Sequence, residues 1–151
     1  MPSPFPLKLK LHHRTPGWVP AGESFHIRLR LDRAQQLPLT SPVLATVLFD
    51  SVRYYHERAR WHCHLFLLMP DHLHALLAFP PHAVMSRTIG EWKKYHTQHR
   101  QVLWQDGYFD HRIRDAHEFE EKAAYIRQNP VVKGLCTRPE DWPWFIDARS
   151  F

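Results

Sequence analysis

Two histidines separated by one apolar residue, His72 and His74, are the first feature of the sequence that could support chemistry. They open a short apolar segment, residues 72–79, directly after Pro70 and Asp71, whose residue types favour a tight turn. In a strand, residues i and i+2 point to the same face and lie about 7 Å apart. A strand would therefore hold the two imidazoles side by side, as half of a divalent-metal site that needs further ligands.

A rival pair, His62 and His64, lies on the preceding apolar segment, residues 61–69, which we expect to join the histidine strand in a β-hairpin. With a two-residue turn, this pair would lie on the opposite face of the sheet from His72 and His74. A one-residue change of register would reverse that arrangement. We take His72 and His74 as the candidate site and treat the rival pair as structural.

Length and composition predict a single domain over residues 1–151, with an irregular basic arm at 1–23 and an irregular tail at 131–151. No apolar run reaches membrane-spanning length. Cys63 and Cys136 do not make a disulfide framework, so we expect a reduced, cytoplasmic protein.

The net charge is +5 and is concentrated in two segments that also contain aromatic residues. Residues 1–40 hold six Lys/Arg against two acids, and residues 85–114 hold six against three. This distribution favours a polyanionic partner, although modest basicity alone is common. The strict alternation of residues 25–31 predicts a half-buried strand whose polar face, with His26, Arg28 and Arg30, meets either phosphate or water.

Three helices are predicted from apolar spacing and capping residues. The first runs from Pro42 to about residue 59. The second covers about 86–101, with Ile89, Trp92 and either Tyr95 or His96 facing inward. The third begins after a capping residue, Asp115, and ends at Asn129 or just before it, because Pro130 follows.

The third helix contains the candidate partner of the histidine pair. Tyr125 and Asn129 are four residues apart and therefore lie on one helix face. A lone tyrosine on a helix is usually a packing residue, and an asparagine before proline is usually a helix-end residue. Neither residue alone indicates a function.

Several stretches together resemble a known family. Residues 69–74 resemble the His–hydrophobe–His motif of the HUH single-strand DNA endonucleases, with Asp71 where asparagine is usual. Residues 108–114, the tyrosine helix at 125–131 and Trp142-Pro143-Trp144 resemble, in the same order, blocks of the REP-associated tyrosine transposases. These are single-tyrosine members of the HUH superfamily. The matching blocks cover nearly the whole chain.

The resemblance implies an α+β, ferredoxin-like antiparallel sheet with helices on one face and the histidine motif on a central strand. It implies that Tyr125 attacks DNA to form a 5′-phosphotyrosine. It also implies that His72, His74 and Asn129 bind Mg²⁺ or Mn²⁺. A phenol ionises near pH 10, so a metal that polarises the phosphate would assist its attack.

The expected partner is single-stranded DNA with a REP-type hairpin, bound by a monomer, with a dimer as the alternative. Candidate DNA contacts combine basic and aromatic side chains, namely Lys93, Lys94, Arg112, Arg114, Arg127 and Trp92, and Tyr95 and Trp104 could also stack on bases. The functional alternative is a catalytically silent, domesticated hairpin-binding protein. A histidine-triad hydrolase is disfavoured because Leu76 stands where a third histidine is required. A zinc hydrolase would need more carboxylates near the pair.

Overall fold

The computed structural model describes residues 15–21 and 23–151. The helices are α1 (Trp18–Ala21), α2 (Pro42–Glu57), α3 (Met85–Arg100) and α4 (Ala116–Val132). The strands are β1 (Ser24–Arg30), β2 (His62–Leu68), β3 (His72–Ala78), β4 (Phe109–Arg112) and β5 (Phe145–Asp147). Two 3-10 helices, Pro139–Asp141 and Ala148–Ser150, complete the regular elements of this part of the chain.

The five strands form one antiparallel sheet in the order β4-β1-β3-β2-β5. The two β-α-β crossovers that contain α2 and α3 give the ferredoxin-like arrangement, and β5 extends its edge. All seven residues of β3 are buried because this central strand is covered on both faces. The predicted α+β class and the position of the histidine motif on a central strand are confirmed.

The two faces of the sheet are covered by different helices, whereas the resemblance placed the helices on one face. On the first face, α2 and α3 bury a large apolar core that includes Leu48, Phe66 and Leu77. On the second face, Ile126 of α4 packs into a smaller cluster formed by Leu65, Leu67, Met69 and Leu76. Burial of Ile126 contributes about 1.5–3 kcal/mol to stability and fixes α4 above the histidine strand.

Helix α3 packs through Trp92, which is only 1% exposed. Its indole nitrogen donates a 2.8 Å hydrogen bond to the Ser51 hydroxyl, which also lies 2.8 Å from Nε2 of His96. His96, rather than Tyr95, is therefore the inward residue of the last turns. The prediction that Trp92 contacts DNA is wrong, because a buried indole has no face available for a base.

The β2–β3 hairpin contains a β-bulge that the sequence analysis did not anticipate. Leu67 pairs with His74, as expected, but the register shifts between Cys63 and Leu65. Because the bulge contains one extra residue, the side chains that precede it in β2 point to the opposite face from the one that regular pairing would give them. His62 therefore lies opposite Ala78 on the same face as His74, and the prediction that it lies on the opposite face is wrong.

The bulge residue itself, His64, packs against Phe119 of α4, with ring centroids 4.9 Å apart. Its Nε2 lies 3.1 Å from the Ser24 hydroxyl. His62 is on the same sheet face as His74 but about 13 Å further along the strand, four residues away at the strand rise, whereas His64 lies beside Leu65, which pairs with Leu76. The contacts of the rival pair within the fold agree with the structural role assigned to it.

Helix α4 begins as expected and ends later than expected. The Asp115 carboxylate accepts a 2.8 Å hydrogen bond from the backbone N–H of Glu118, which is the predicted N-cap. The helix continues through Pro130 to Val132. A proline so near the C-terminus removes one hydrogen bond, and the turn beyond it is closed by Gly134 at φ 73°.

The segments predicted to be irregular contain some regular structure. Residues 1–14 of the predicted arm lie outside the described residues, while α1 forms within its remainder. The predicted tail includes the last residues of α4, and it contributes β5, which pairs with β2 through Ile146 and Phe66. The Trp142 indole donates a 2.9 Å hydrogen bond to the Leu68 carbonyl and so holds the segment before β5 against the end of β2. Among the described residues, no helix has the length and apolar character needed to span a membrane.

Candidate active site

Strand β3 places His72 and His74 next to each other on the face covered by α4. Their ring centroids are 4.9 Å apart, with the ring planes at 84°. Both side chains are buried. The neighbouring strand β1 sets Arg30 opposite His72 and Arg28 opposite His74. The spacing of two residues on one strand thus gives the paired imidazoles that the sequence predicted.

Each imidazole of the pair is oriented through its Nδ1 atom. Nδ1 of His72 lies 2.7 Å from the Asp71 carboxylate, which can only accept, so this nitrogen carries the proton. Nε2 of His72 is then left with a lone pair. Nδ1 of His74 lies 3.0 Å from Nε2 of His26 on β1. His26 is a residue of the site that sequence reasoning left on a polar strand face.

Burial keeps these histidines uncharged at neutral pH. It is the largest influence on each of them, and it lowers the pKa of His74 to about 2 and the pKa of His26 to about 4. Burial also lowers the pKa of His72, against the opposing effect of the Asp71 carboxylate. In turn, the hydrogen bond to His72 lowers the pKa of Asp71. Neutral imidazoles are the form that binds metal ions.

Helix α4 brings Tyr125 and Asn129 over the histidine pair. The ring centroid of Tyr125 is 5.9 Å from that of His74 and 6.2 Å from that of His26, and the tyrosine side chain is 54% exposed. Asn129, one turn further on, is buried. In this arrangement the tyrosine and both histidines belong to the same chain.

The donor set of this constellation fits a divalent metal. The Asn129 side-chain oxygen is buried and has no hydrogen-bond partner within residues 15–21 and 23–151. An unpartnered buried oxygen costs about 1–3 kcal/mol, and a cation would satisfy it. In this same part of the chain no cluster of three or more His, Cys, Asp or Glu side chains is arranged to hold a metal. The unpartnered Asn129 oxygen is thus a side-chain atom of α4 that could serve a metal at His72 and His74.

A cavity of about 480 Å³ connects these side chains to solvent. His72, His74, Tyr125 and Asn129 all line it. Three basic side chains also line it, from β1 and from the residues after α4, namely Arg28, Arg30 and Lys133. These residues were not among the predicted DNA contacts. The alternation of β1 placed Arg28 and Arg30 on a polar face of the strand, but it could not show whether that face meets a ligand or water.

The predicted basic contacts lie away from this cavity. The Lys93 ammonium donates to the carbonyls of Gln105 and Gly107, at 3.0 and 2.8 Å, and so anchors a loop. Lys94 is exposed and lines a second cavity of about 540 Å³ beside Trp104. The structure does not bring this pair of lysines to the histidines.

The three predicted arginines are each paired with a carboxylate. Arg112 lies 3.2 Å from Glu23, Arg114 lies 2.9 Å from Glu118, and Arg127 lies 3.0 Å from Asp147. The guanidinium of Arg127 also sits over the Phe145 ring, 4.3 Å from its centroid. The side chains of Arg112 and Arg114 are largely exposed, and their role toward DNA stays a prediction.

Comparison with known proteins identifies the family of this chain. Residues 25–129 match the model of the family described as "Transposase IS200 like". The chain is 26% identical over 123 residues to the REP-associated tyrosine transposase of Escherichia coli K12, an alignment that covers 80% of this chain and 72% of the relative. Its fold is similar to that in a structure entitled "Structure of the REP associates tyrosine transposase bound to a REP hairpin". The TM-score is 0.72 at 22% identity, and the match covers 82% of this chain and 76% of the other. This chain belongs to the IS200-like transposase family.

Proposed function

We propose that this protein is a metal-dependent single-stranded DNA endonuclease and strand transferase that cleaves and rejoins DNA beside REP-type hairpins through a 5′-phosphotyrosine. One observation carries the proposal: an exposed tyrosine, Tyr125, is held 5.9 Å from the ring of His74 and one helical turn from the unpartnered oxygen of Asn129. A nucleophile, two neutral imidazoles and an amide oxygen thus share one cavity.

Nε2 of His72, Nε2 of His74 and Oδ1 of Asn129 would hold the metal. Two imidazoles and one amide oxygen suit Mn²⁺, and phosphate oxygens would complete a shell acceptable to Mg²⁺. When bound, such an ion polarises the scissile phosphate and offsets the charge of the leaving oxygen.

The remaining chemistry belongs to the side chains of this chain. The Tyr125 oxygen attacks phosphorus and the bond from phosphorus to the 3′-oxygen breaks. The phenol loses a proton and the 3′-oxygen gains one, which leaves a 5′-phosphotyrosine and a free 3′-hydroxyl. The phosphodiester energy is conserved in the covalent link, so the reverse reaction can join another 3′-end. Arg28, Arg30 and Lys133, which line the cavity, would bind the neighbouring phosphates.

The hairpin partner rests on similarity to REP-associated tyrosine transposases, of which one structure contains a bound REP hairpin. Single-stranded DNA suits a narrow cavity in which a backbone phosphate must reach a buried histidine pair. Lys93, Lys94, Arg112, Arg114 and Arg127 remain candidate contacts outside the cavity. Because one chain supplies both the tyrosine and the histidines, we propose that the protein acts as a monomer.

Incubation of the protein with a hairpin oligonucleotide and Mn²⁺ tests this function. If the link is a 5′-phosphotyrosine, an oligonucleotide labelled at its 3′-end will yield a labelled covalent band on a denaturing gel. The same oligonucleotide labelled at its 5′-end will yield only a shorter free product. A catalytically silent hairpin-binding protein would shift both oligonucleotides on a native gel without forming the band, and that result would reject the enzyme.

His26 is assigned a positioning role in this mechanism. If Nδ1–H of His74 donates to Nε2 of His26, the lone pair of His74 Nε2 faces the metal. We expect His26→Leu to weaken Mn²⁺ binding about 10- to 100-fold, as loss of an outer-shell partner commonly does. His26→Gln, whose amide oxygen can accept the same hydrogen bond, should retain most of the affinity.

Titration of Mn²⁺ followed by electron paramagnetic resonance measures both variants without DNA. His62→Leu is a matched control, because it removes a buried histidine from the same sheet face at a distance from the site. Equal Mn²⁺ affinities for wild type and His26→Leu would show that His26 does not orient His74.

A further inference from the structure

Helix α4 covers only part of the sheet face on which the histidines lie. Its buried residue Ile126 packs against side chains of β2 and β3. On this face the neighbouring strands β1 and β4 carry Arg28, Arg30 and Phe109 next to one another, none of them fully buried, while the partly exposed Ser24 and His111 lie further along the same strands. We refer to Arg28, Arg30 and Phe109 as the open strip. It begins beside the cavity of the histidine pair, which Arg28 and Arg30 also line.

Phe109 is the unusual member of the open strip. It is a large apolar side chain on the edge strand β4, and it is 41% exposed. It pairs across the strands with Arg28, whose guanidinium lies 4.8 Å from the centre of the phenyl ring. A single exposed apolar residue is common. An exposed phenyl ring paired with an arginine beside a cavity is the combination that stacks on nucleobases.

His26 links Phe109 to the proposed nucleophile. The Phe109 ring lies edge-on to His26 with the ring centroids 5.6 Å apart, and the ring of Tyr125 lies 6.2 Å from the same imidazole. The exposed phenyl ring and the attacking phenol therefore both lie next to one buried imidazole. A strand whose phosphate reaches Tyr125 would thus bring a neighbouring base close to the open strip.

We propose that the open strip is a binding subsite for the unpaired nucleotide next to the scissile phosphate, in which Phe109 stacks on the base and Arg28 and Arg30 bind the adjoining phosphates. This inference rests on the proposed function and adds a base-binding residue to it. Stacking on a phenyl ring accepts any base, because every base has a π-face. A paired base keeps its faces inside the helix, so the subsite selects single-stranded DNA at the cleavage position.

The test combines a variant of the protein with a variant of the DNA. Binding of a fluorescent hairpin oligonucleotide is measured for wild type, Phe109→Ala and Phe109→Trp in the absence of metal, so that no cleavage occurs. Phe109→Ala should raise Kd roughly 5- to 10-fold, near the lower end of the range for a stacked base, since the ring is partly exposed. Phe109→Trp, which keeps an aromatic face, should bind at least as tightly as wild type.

An abasic scan identifies the base. With an abasic nucleotide next to the scissile phosphate, wild type and Phe109→Ala should bind equally, while abasic positions elsewhere should leave the 5- to 10-fold difference intact. Leu103→Ala is the matched control, because Leu103 is 42% exposed but lines the cavity beside Lys94 instead. Thermal unfolding of each variant confirms that the fold is retained.

Two results would overturn the subsite. Phe109→Ala could bind as tightly as wild type, or its defect could persist on every abasic oligonucleotide, which would indicate a general structural effect. The covalent-band assay on the wild-type protein distinguishes either of these results from failure of the proposed function. A wild-type protein that forms the band without any dependence on Phe109 keeps the enzyme and loses the subsite. Conversely, a Phe109 effect that depends on one base, found without a covalent band, keeps a base contact at Phe109 but rejects both the enzyme and the placement of that base beside a scissile phosphate.

Discussion

Replacement of Tyr125 by phenylalanine should eliminate the covalent protein–DNA band, with the rate of cleavage reduced by more than about a thousandfold, because the attacking oxygen is removed. The Tyr125 side chain is half exposed and faces His74 and His26 through its ring. A phenylalanine keeps these ring contacts and loses only the hydroxyl. Binding of the hairpin oligonucleotide should therefore remain close to that of wild type.

A second tyrosine variant serves as the control for Tyr125→Phe. Tyr95→Phe removes a hydroxyl from α3, on the other side of the sheet from the histidines, and should form the covalent band at the wild-type rate. The measurement is the time course of the band with an oligonucleotide labelled at its 3′-end. If Tyr125→Phe still forms the band, another residue is the nucleophile and the proposed mechanism fails.

Replacement of His74 by alanine is the second change with a large expected effect. It removes one of three proposed metal ligands and also the partner of His26 Nε2. The loss of Mn²⁺ affinity should exceed the roughly 10- to 100-fold typical of outer-shell changes, and cleavage should fall below detection at millimolar Mn²⁺. Titration of Mn²⁺ without DNA reports the affinity, and the labelled hairpin reports cleavage.

The control for His74→Ala is His62→Ala, since both residues are buried on the same face of the same hairpin. Binding of the DNA hairpin, measured without metal, should be similar for both variants. Undiminished cleavage by His74→Ala at millimolar Mn²⁺ would show that His74 is not a metal ligand. An equal loss of cleavage in His62→Ala would mean that the substitutions disturb the β2–β3 hairpin of the protein and do not act through the metal.

The parts of the fold that follow from local sequence pattern were predicted well. Apolar spacing identified α2 and α3 to within two residues at each end, and Asp115 identified the start of α4. The pairing of His72 with His74 on one face follows from the strand period alone. Tyr125 and Asn129 were placed on one helix face by their spacing, and the cavity that joins all four agrees with this.

Most of the errors concern features that depend on distant parts of the chain. The apolar spacing of α3 had already placed Trp92 on the inward face, and its hydrogen bond to Ser51 of α2 agrees with that placement, so the prediction that Trp92 contacts DNA conflicted with the helix pattern itself. Other errors arose from contacts between separate elements. The helix end at Pro130 was placed too early because the hydrogen bonds that close the turn involve residues beyond it, such as Leu135. Residues of β1 became part of the site only through pairing with β3, which the alternating pattern does not specify.

The bulge at His64 has a consequence for how this hairpin can vary between relatives. It lies between Cys63 and Leu65, whereas the pairs from Leu65 to the turn are in continuous register with β3. A change in length at the bulge reassigns the side chains of residues 62–64 to one face or the other and leaves the pairing of Leu67 with His74 untouched. The β-hairpin therefore has a half in which a change of length leaves the site unaffected and a half in which it would not, and His72 and His74 lie in the second half.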